Sequence, residues 1–279
     1  MRDAVVMWRY TKMVVLVALT GAVYAVVTLP FAAIPLIPGY TELRPGAGVP
    51  VVCGLLFGPA AAWGAAFGNT VGDIATGKIG PGTVFGFLGN FLLAYIPYRM
   101  WRVLRGDRPA TGEGRSLAFV VVSALAGALC CAVSIGFGVA ALGLVPYAAL
   151  TGYIAVNNGV LGTIVAAILL PILYPLARSF GLLYQDILAP DEYTAGRIGW
   201  AGMVLTWVSA GLGLIVAIFV ALAGRLLAGV GMPEGTSILD PQVLVAGIAT
   251  VGIVVGTVLM SPLTARVPAH SVPPESDRP

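Results

Sequence analysis

The sequence predicts an all-α integral membrane protein, a bundle of seven or eight packed helices, and three observations carry that reading. Charged side chains are missing from residues 13–39, 45–72, 79–98, 116–177, 198–224 and 241–265. A hydrocarbon core about 30 Å thick is crossed by about 20 apolar residues of helix, and each run reaches that length. Hydrophobic residues make up 58% of the 279-residue chain and charged residues only 10%, too little polar surface to cover a water-soluble fold. Finally, proline and glycine fall between the apolar stretches, where helices end.

The elements follow in order. Residues 13–29 form a first helix behind Arg2, Arg9 and Lys12. The stretch is longer than the apolar region of a cleaved leader, so it is read as retained. Pro30, Pro35 and Pro38-Gly39 end it and lead into a polar segment, Tyr40 to Pro45. Gly58-Pro59 then interrupts the second run. One span over 45–72 gives seven helices; a reversal at Gly58-Pro59 gives two short helices and eight in all. Gly-Pro-Gly at 80–82 precedes a helix that should end near Tyr98-Arg99, and Gly143 to Pro146 divides the long run 116–177 into two helices.

Basic residues near span ends concentrate in the cytoplasm. With eight helices and the N-terminus inside, twelve basic residues lie inside, and only Arg44, Lys78 and Arg225 fall outside. The best seven-helix arrangement separates them ten to five. The count favours eight, although a helix over 46–57 would be only about 18 Å long and would need its ends buried in protein. The net charge of +3 is a matter of topology in this reading.

Two stripes of small residues are expected to mediate helix contacts. Ala60, Gly64, Gly68 and Gly72 line one face at four-residue spacing, as internal packing in lipid favours. Ala18 and Ala22 form a second stripe on the first helix, open to internal packing or to a partner helix. Residues 181–198 carry Asp186, Asp191 and Glu192 and are read as a cytoplasmic surface segment. Two further helices follow near 199–224 and 241–262, and the proline-rich tail 263–279, with His270, reads as disordered.

Enzyme chemistry has little to build on. The chain has no GxxxxGKS/T loop and no HExxH, and a single histidine cannot serve a His-containing triad. Cys53, Cys130 and Cys131 sit in apolar runs without CxxC spacing. No cofactor or metal is indicated. The polar groups that interrupt the apolar pattern are therefore the candidates for binding: Glu42 and Arg44 between the first two helices, Asp73 with Asn69 one turn earlier, Asn90 within its helix, and Asn157-Asn158 with Tyr153 one turn earlier. Each has a plainer reading, as an interfacial ion pair, a loop charge or interhelical hydrogen bonding. In the eight-helix arrangement Glu42, Arg44, Asp73 and Lys78 share the outer face above the asparagines, as a pocket for a polar solute requires.

The stretches ELRPGAGVPVVCGLLFGP (42–59), GNTVGD (68–73), GPGTVFGFLGN (80–90), YIPYR (95–99) and VNN (156–158) carry a family resemblance. Over about residues 12–180 the chain is similar to the substrate-binding (S) components of energy-coupling factor (ECF) transporters, in the branch that includes queuosine-precursor transporters. The resemblance implies a six-helix core over 1–180 with both ends inside and short second and third helices. It also implies a solute held near the outer face by loops and by the fourth to sixth helices. Glu42 and Arg44 would then form a lid over a polar or zwitterionic ligand. Asn69 and Asp73 lie at the same face; Asn90, Asn157 and Asn158 would bond a heterocycle, with Tyr40 or Tyr153 stacking on it. By the same resemblance Ala18 and Ala22 would dock on a transmembrane coupling subunit, and two ATPase subunits would supply the energy. The two helices over 199–262 depart from the pattern. They leave open a stand-alone secondary transporter or channel.

Overall fold

The first apolar run folds as expected, and its burial pattern shows why. After helix α1 (Arg2–Val6) and a 3-10 turn at Met7–Arg9, helix α2 runs Thr11–Thr28. Met13, Leu16, Val17, Thr20, Gly21 and Tyr24 are buried, the i, i+3, i+4 spacing of one helix face. Val15, Leu19 and Val26 are exposed on the rest of α2, as are Ala18 and Ala22. This computed structural model describes residues 1–111, 114–226 and 237–261, with side chains to residue 223 in the middle segment. The tail 263–279, His270 and the Arg225 side chain lie outside the described residues.

A two-stranded antiparallel hairpin, β1 (Pro35–Ile37) with β2 (Thr41–Glu42), follows α2. The chain then breaks at Gly58 into α3 (Gly48–Phe57) and α4 (Pro59–Ala75). Gly58 has φ 60° and ψ −129°, a conformation only glycine adopts without strain, and proline is tolerated in the first turn that follows. Arg44, ahead of α3, bonds Asn69 near the end of α4 at 2.8 Å, so the chain does reverse. Helix α3 spans only about 15 Å at 1.5 Å per residue. All ten of its residues are buried, which is how so short a helix is accommodated.

Helix α4 lies on α2 through the predicted glycine stripe. A Cβ on Gly68 would stand 2.6 Å from the Gly21 carbonyl oxygen, and one on Gly64 would stand 2.7 Å from that of Val17. The backbones touch, and Gly72, facing open space, takes no part. Helix α5 (Thr83–Arg105) extends six residues beyond the expected end at Arg99. Tyr98-Arg99 does not reach water. Arg99 is fully buried, and the helix stops at Gly106, φ 59°. Helix α6 (Arg115–Ala141) turns at Gly143–Pro146 into α7 (Tyr147–Val156). A π-helical turn at Asn157–Gly162 joins α7 to α8 (Thr163–Ser179) without a break.

The segment after α8 forms two single turns, α9 (Tyr184–Ile187) and α10 (Pro190–Tyr193). It is less superficial than its charges suggest: Tyr184, Glu192 and Tyr193 are buried. Helices α11 (Gly199–Leu226) and α12 (Pro241–Met260) pack on one another, where a Cβ on Gly202 would meet the Gly256 carbonyl oxygen at 2.6 Å. This pair lies against α5, α6 and α7, while α2 packs on α3 and α4.

Arg99 ties the ends of the chain together. It pairs with Asp3 at 3.5 Å and donates to the carbonyls of Tyr193, Thr194 and Met260. Tyr95 donates to Asp3 at 2.6 Å and lies 3.0 Å from the Ser261 hydroxyl. The five stretches Thr11–Ala33, Arg115–Ala141, Tyr147–Ile187, Gly199–Ala223 and Pro241–Met260 are each long and apolar enough to cross a membrane.

Candidate functional site

Local geometry brings most of the sequence candidates to one cavity. Asn69 and Asp73 lie one turn apart on α4. Asn90 lies on α5, and Asn158 is in the π-turn after α7. Tyr40 and Arg44 come from the segment around β2. Together they line a cavity of about 300 Å³, at the opposite end of α5 from Arg99. Lys78, Thr41 and Thr83 also line it, and an aliphatic part of the wall includes Ile135, Val139, Leu144, Leu150 and Ile154.

Glu42 organises the charges. Its carboxylate is buried; Oε1 accepts from Arg44 Nε at 2.8 Å and lies 2.7 Å from Nη2, while Oε2 pairs with Lys78 Nζ. Burial pushes the Glu42 carboxyl up, but the Arg44 guanidinium and Lys78 ammonium outweigh it and hold it below the usual carboxylate range. Arg44 Nη1 donates to Asn69 Oδ1, and Asn69 Nδ2 passes the chain on to Asp73 Oδ2 at 3.2 Å. Gly86 lets α5 approach this chain, since a Cβ there would stand 3.1 Å from Asn69 Nδ2.

The asparagines have different jobs. Asn157 does not line the cavity. Its Oδ1 accepts from the Arg44 backbone N–H at 3.1 Å and its Nδ2 donates to the Glu42 carbonyl at 2.9 Å, clamping the β2 segment by both ends. The π-turn makes this reach possible by widening the helix where Gly162 meets Ala47 and Gly48. Asn90 accepts from the Tyr24 hydroxyl at 2.7 Å and donates to the Gly86 carbonyl at 2.8 Å. Asn158 Nδ2 contacts Cys131 Sγ at 3.6 Å.

Tyr153 is a correction. It is 46% exposed and does not border the cavity. Leu150, Ile154 and Asn158 do, at the i, i+4, i+8 spacing of one face, and Tyr153 points about 100° away from Ile154. Sequence reasoning placed Lys78 at the outer face without naming it as a binding residue, and it overlooked Tyr24. Lys78 is the sole charge between Asp73 and Arg99, a signal that was there to be used. The apolar wall carries no such signal, because cavity-facing and lipid-facing aliphatic residues read alike.

Helices long and apolar enough to cross a membrane, with a cavity of mixed polar and apolar lining among them, are the layout of a membrane protein that holds a small solute. A family model described as QueT transporter matches residues 14–175, more than half of the chain and all of the cavity. The chain belongs to this family, an ECF S-component family for the uptake of queuosine precursors. Helices α11 and α12 lie beyond the match. No curated protein and no solved structure matches the chain.

Proposed function

We propose that this chain is the membrane-embedded substrate-binding subunit of an ECF-type transporter. It captures a queuosine precursor, or a related small heterocycle such as a vitamin, at the outer face for ATP-driven uptake. The cavity carries this reading: it is large enough for one bicyclic heterocycle, and both polar and aliphatic side chains line it. In this reading the N-terminus is cytoplasmic, residues 1–180 form the binding core, and the Glu42–Arg44 segment is the lid.

The chain does no chemistry of its own. A transmembrane coupling subunit and two ATPases, in other chains, power it. Support for the docking role comes from the exposure of Ala18 and Ala22 on α2, which a partner helix could approach closely. The α11–α12 pair packs on α5, α6 and α7, which leaves the outward face of α2 uncovered among the described residues.

Affinity purification from the native membrane tests the assembly, and the coupling subunit and ATPases should copurify with the chain. Ala18→Leu should leave the isolated protein folded and ligand binding unchanged, because Ala18 touches no core. It should cut copurification and uptake at least about tenfold by obstructing helix approach. Uptake into vesicles holding only this chain would instead establish a stand-alone transporter.

A further inference from the structure

Charge bookkeeping within the cavity points to the kind of solute edge it reads. Arg44 and Lys78 are the cations on its lining, and both are already paired with Glu42. Asp73 lines the same cavity and has no ion pair among the described residues. Asn69 occupies its Oδ2, and its Oδ1 has no hydrogen-bond partner among the described residues. Asn158, only 6% exposed, uses Nδ2 on Cys131 and leaves Oδ1 without a described donor. Both oxygens belong to residues that line the cavity and are not among the sealed, unpartnered atoms of the interior, so they are acceptors open to a ligand that brings N–H donors.

We propose that Asp73, assisted by Asn158, is the specificity-determining acceptor for a neutral or cationic heterocycle presenting adjacent N–H donors. The inference rests on the binding role proposed above and deepens it. A 2-aminopyrimidinone edge offers a ring N–H and an amino N–H side by side, the pattern that a carboxylate receives with two parallel hydrogen bonds. A solute carboxylate, by contrast, meets Asp73 unneutralised and finds Arg44 and Lys78 already held by Glu42. The cavity therefore selects against anions although two cations line it.

The test uses the full chain in lipid nanodiscs and equilibrium binding of three probes. These are 7-deazaguanine, 7-deazahypoxanthine, which lacks the 2-amino group, and 7-carboxy-7-deazaguanine. The wild type should bind 7-deazaguanine about 10- to 100-fold more tightly than 7-deazahypoxanthine, the range expected for a hydrogen bond to a charged group. The carboxylated probe should bind at least about tenfold more weakly than 7-deazaguanine. Asp73→Asn should abolish the preference for the 2-amino group while leaving the unfolding temperature near that of the wild type. Equal binding of the two uncharged bases by the wild type overturns the assignment, as does unchanged 7-deazaguanine affinity in Asp73→Asn. If that variant does not fold, the wild-type comparison of the two bases decides alone. Failure of the wild type to bind 7-deazaguanine at all would overturn the queuosine-precursor reading and this inference with it.

Discussion

Glu42→Gln is the perturbation whose consequence follows most directly from the geometry. One carboxylate serves two cations, with Arg44 Nε and Nη2 on Oε1 and Lys78 Nζ on Oε2. Glutamine keeps the shape and one acceptor oxygen, but it turns an amide donor toward one of the cations. Removing one member of a fully buried pair costs about 3–5 kcal/mol. Here the Arg44 and Lys78 side chains keep 15% and 17% of their exposure, so water recovers part of that loss. The expected cost is about 2–3 kcal/mol, a drop of several degrees in unfolding temperature for a chain of this size.

The pH dependence adds a second signature. The Glu42 carboxyl lies below the usual range in the folded protein, so its stabilisation is fully present above the ordinary carboxylate pKa. It is lost as pH falls through the depressed folded-state value. Thermal unfolding in detergent across pH 3–8 should therefore show a constant gap between wild type and Glu42→Gln above about pH 5, closing on further acidification. A gap under 1 °C at pH 7, or one that widens in acid, would refute the reasoning.

Other perturbations probe the remaining contacts. Gly68→Val places a side chain where the Gly21 carbonyl leaves only 2.6 Å, and should cost about 1–3 kcal/mol by forcing α2 and α4 apart, measured as unfolding temperature. Asn157→Ala leaves the Glu42 carbonyl and the Arg44 N–H without their clamp. It should weaken solute binding about 5- to 30-fold through a loosened β2 segment, read by equilibrium binding. Arg99→Met strands the buried Asp3 carboxylate and the Thr194 carbonyl. A loss of about 3–5 kcal/mol should appear, with new protease cleavage near residues 194–196, while solute affinity in the surviving folded fraction stays unchanged.

Much of the candidate site could be read in the sequence because lipid makes polar residues conspicuous. Arg44, Asn69, Asp73, Asn90 and Asn158 each interrupt an apolar pattern, and all five line the cavity. Their division of labour was hidden. Asn157 and Asn158 are neighbours in sequence, yet one clamps backbone and the other faces the cavity, because successive residues of a helix point about 100° apart. Tyr153 misled by helical spacing, since being one turn from Asn157 places it on that residue's side of the helix and not on the cavity side.

The sequence by itself determined that the chain lives in a membrane, where most of its helices begin and end, and which family it resembles. These properties are local: hydrophobic runs, Gly and Pro positions and short motifs write them directly into residue order. Hydrophobicity alone left the run 45–72 open between one span and a reversal at Gly58; the charge count and the family resemblance favoured the reversal, and only the tertiary structure shows what makes it possible. That outcome depends on whether α5 and α8 are there to bury a helix too short to cross alone. The tertiary structure likewise carried α5 past Arg99. A buried guanidinium is tolerable only beside Asp3, Tyr193, Thr194 and Met260, which come from opposite ends of the chain.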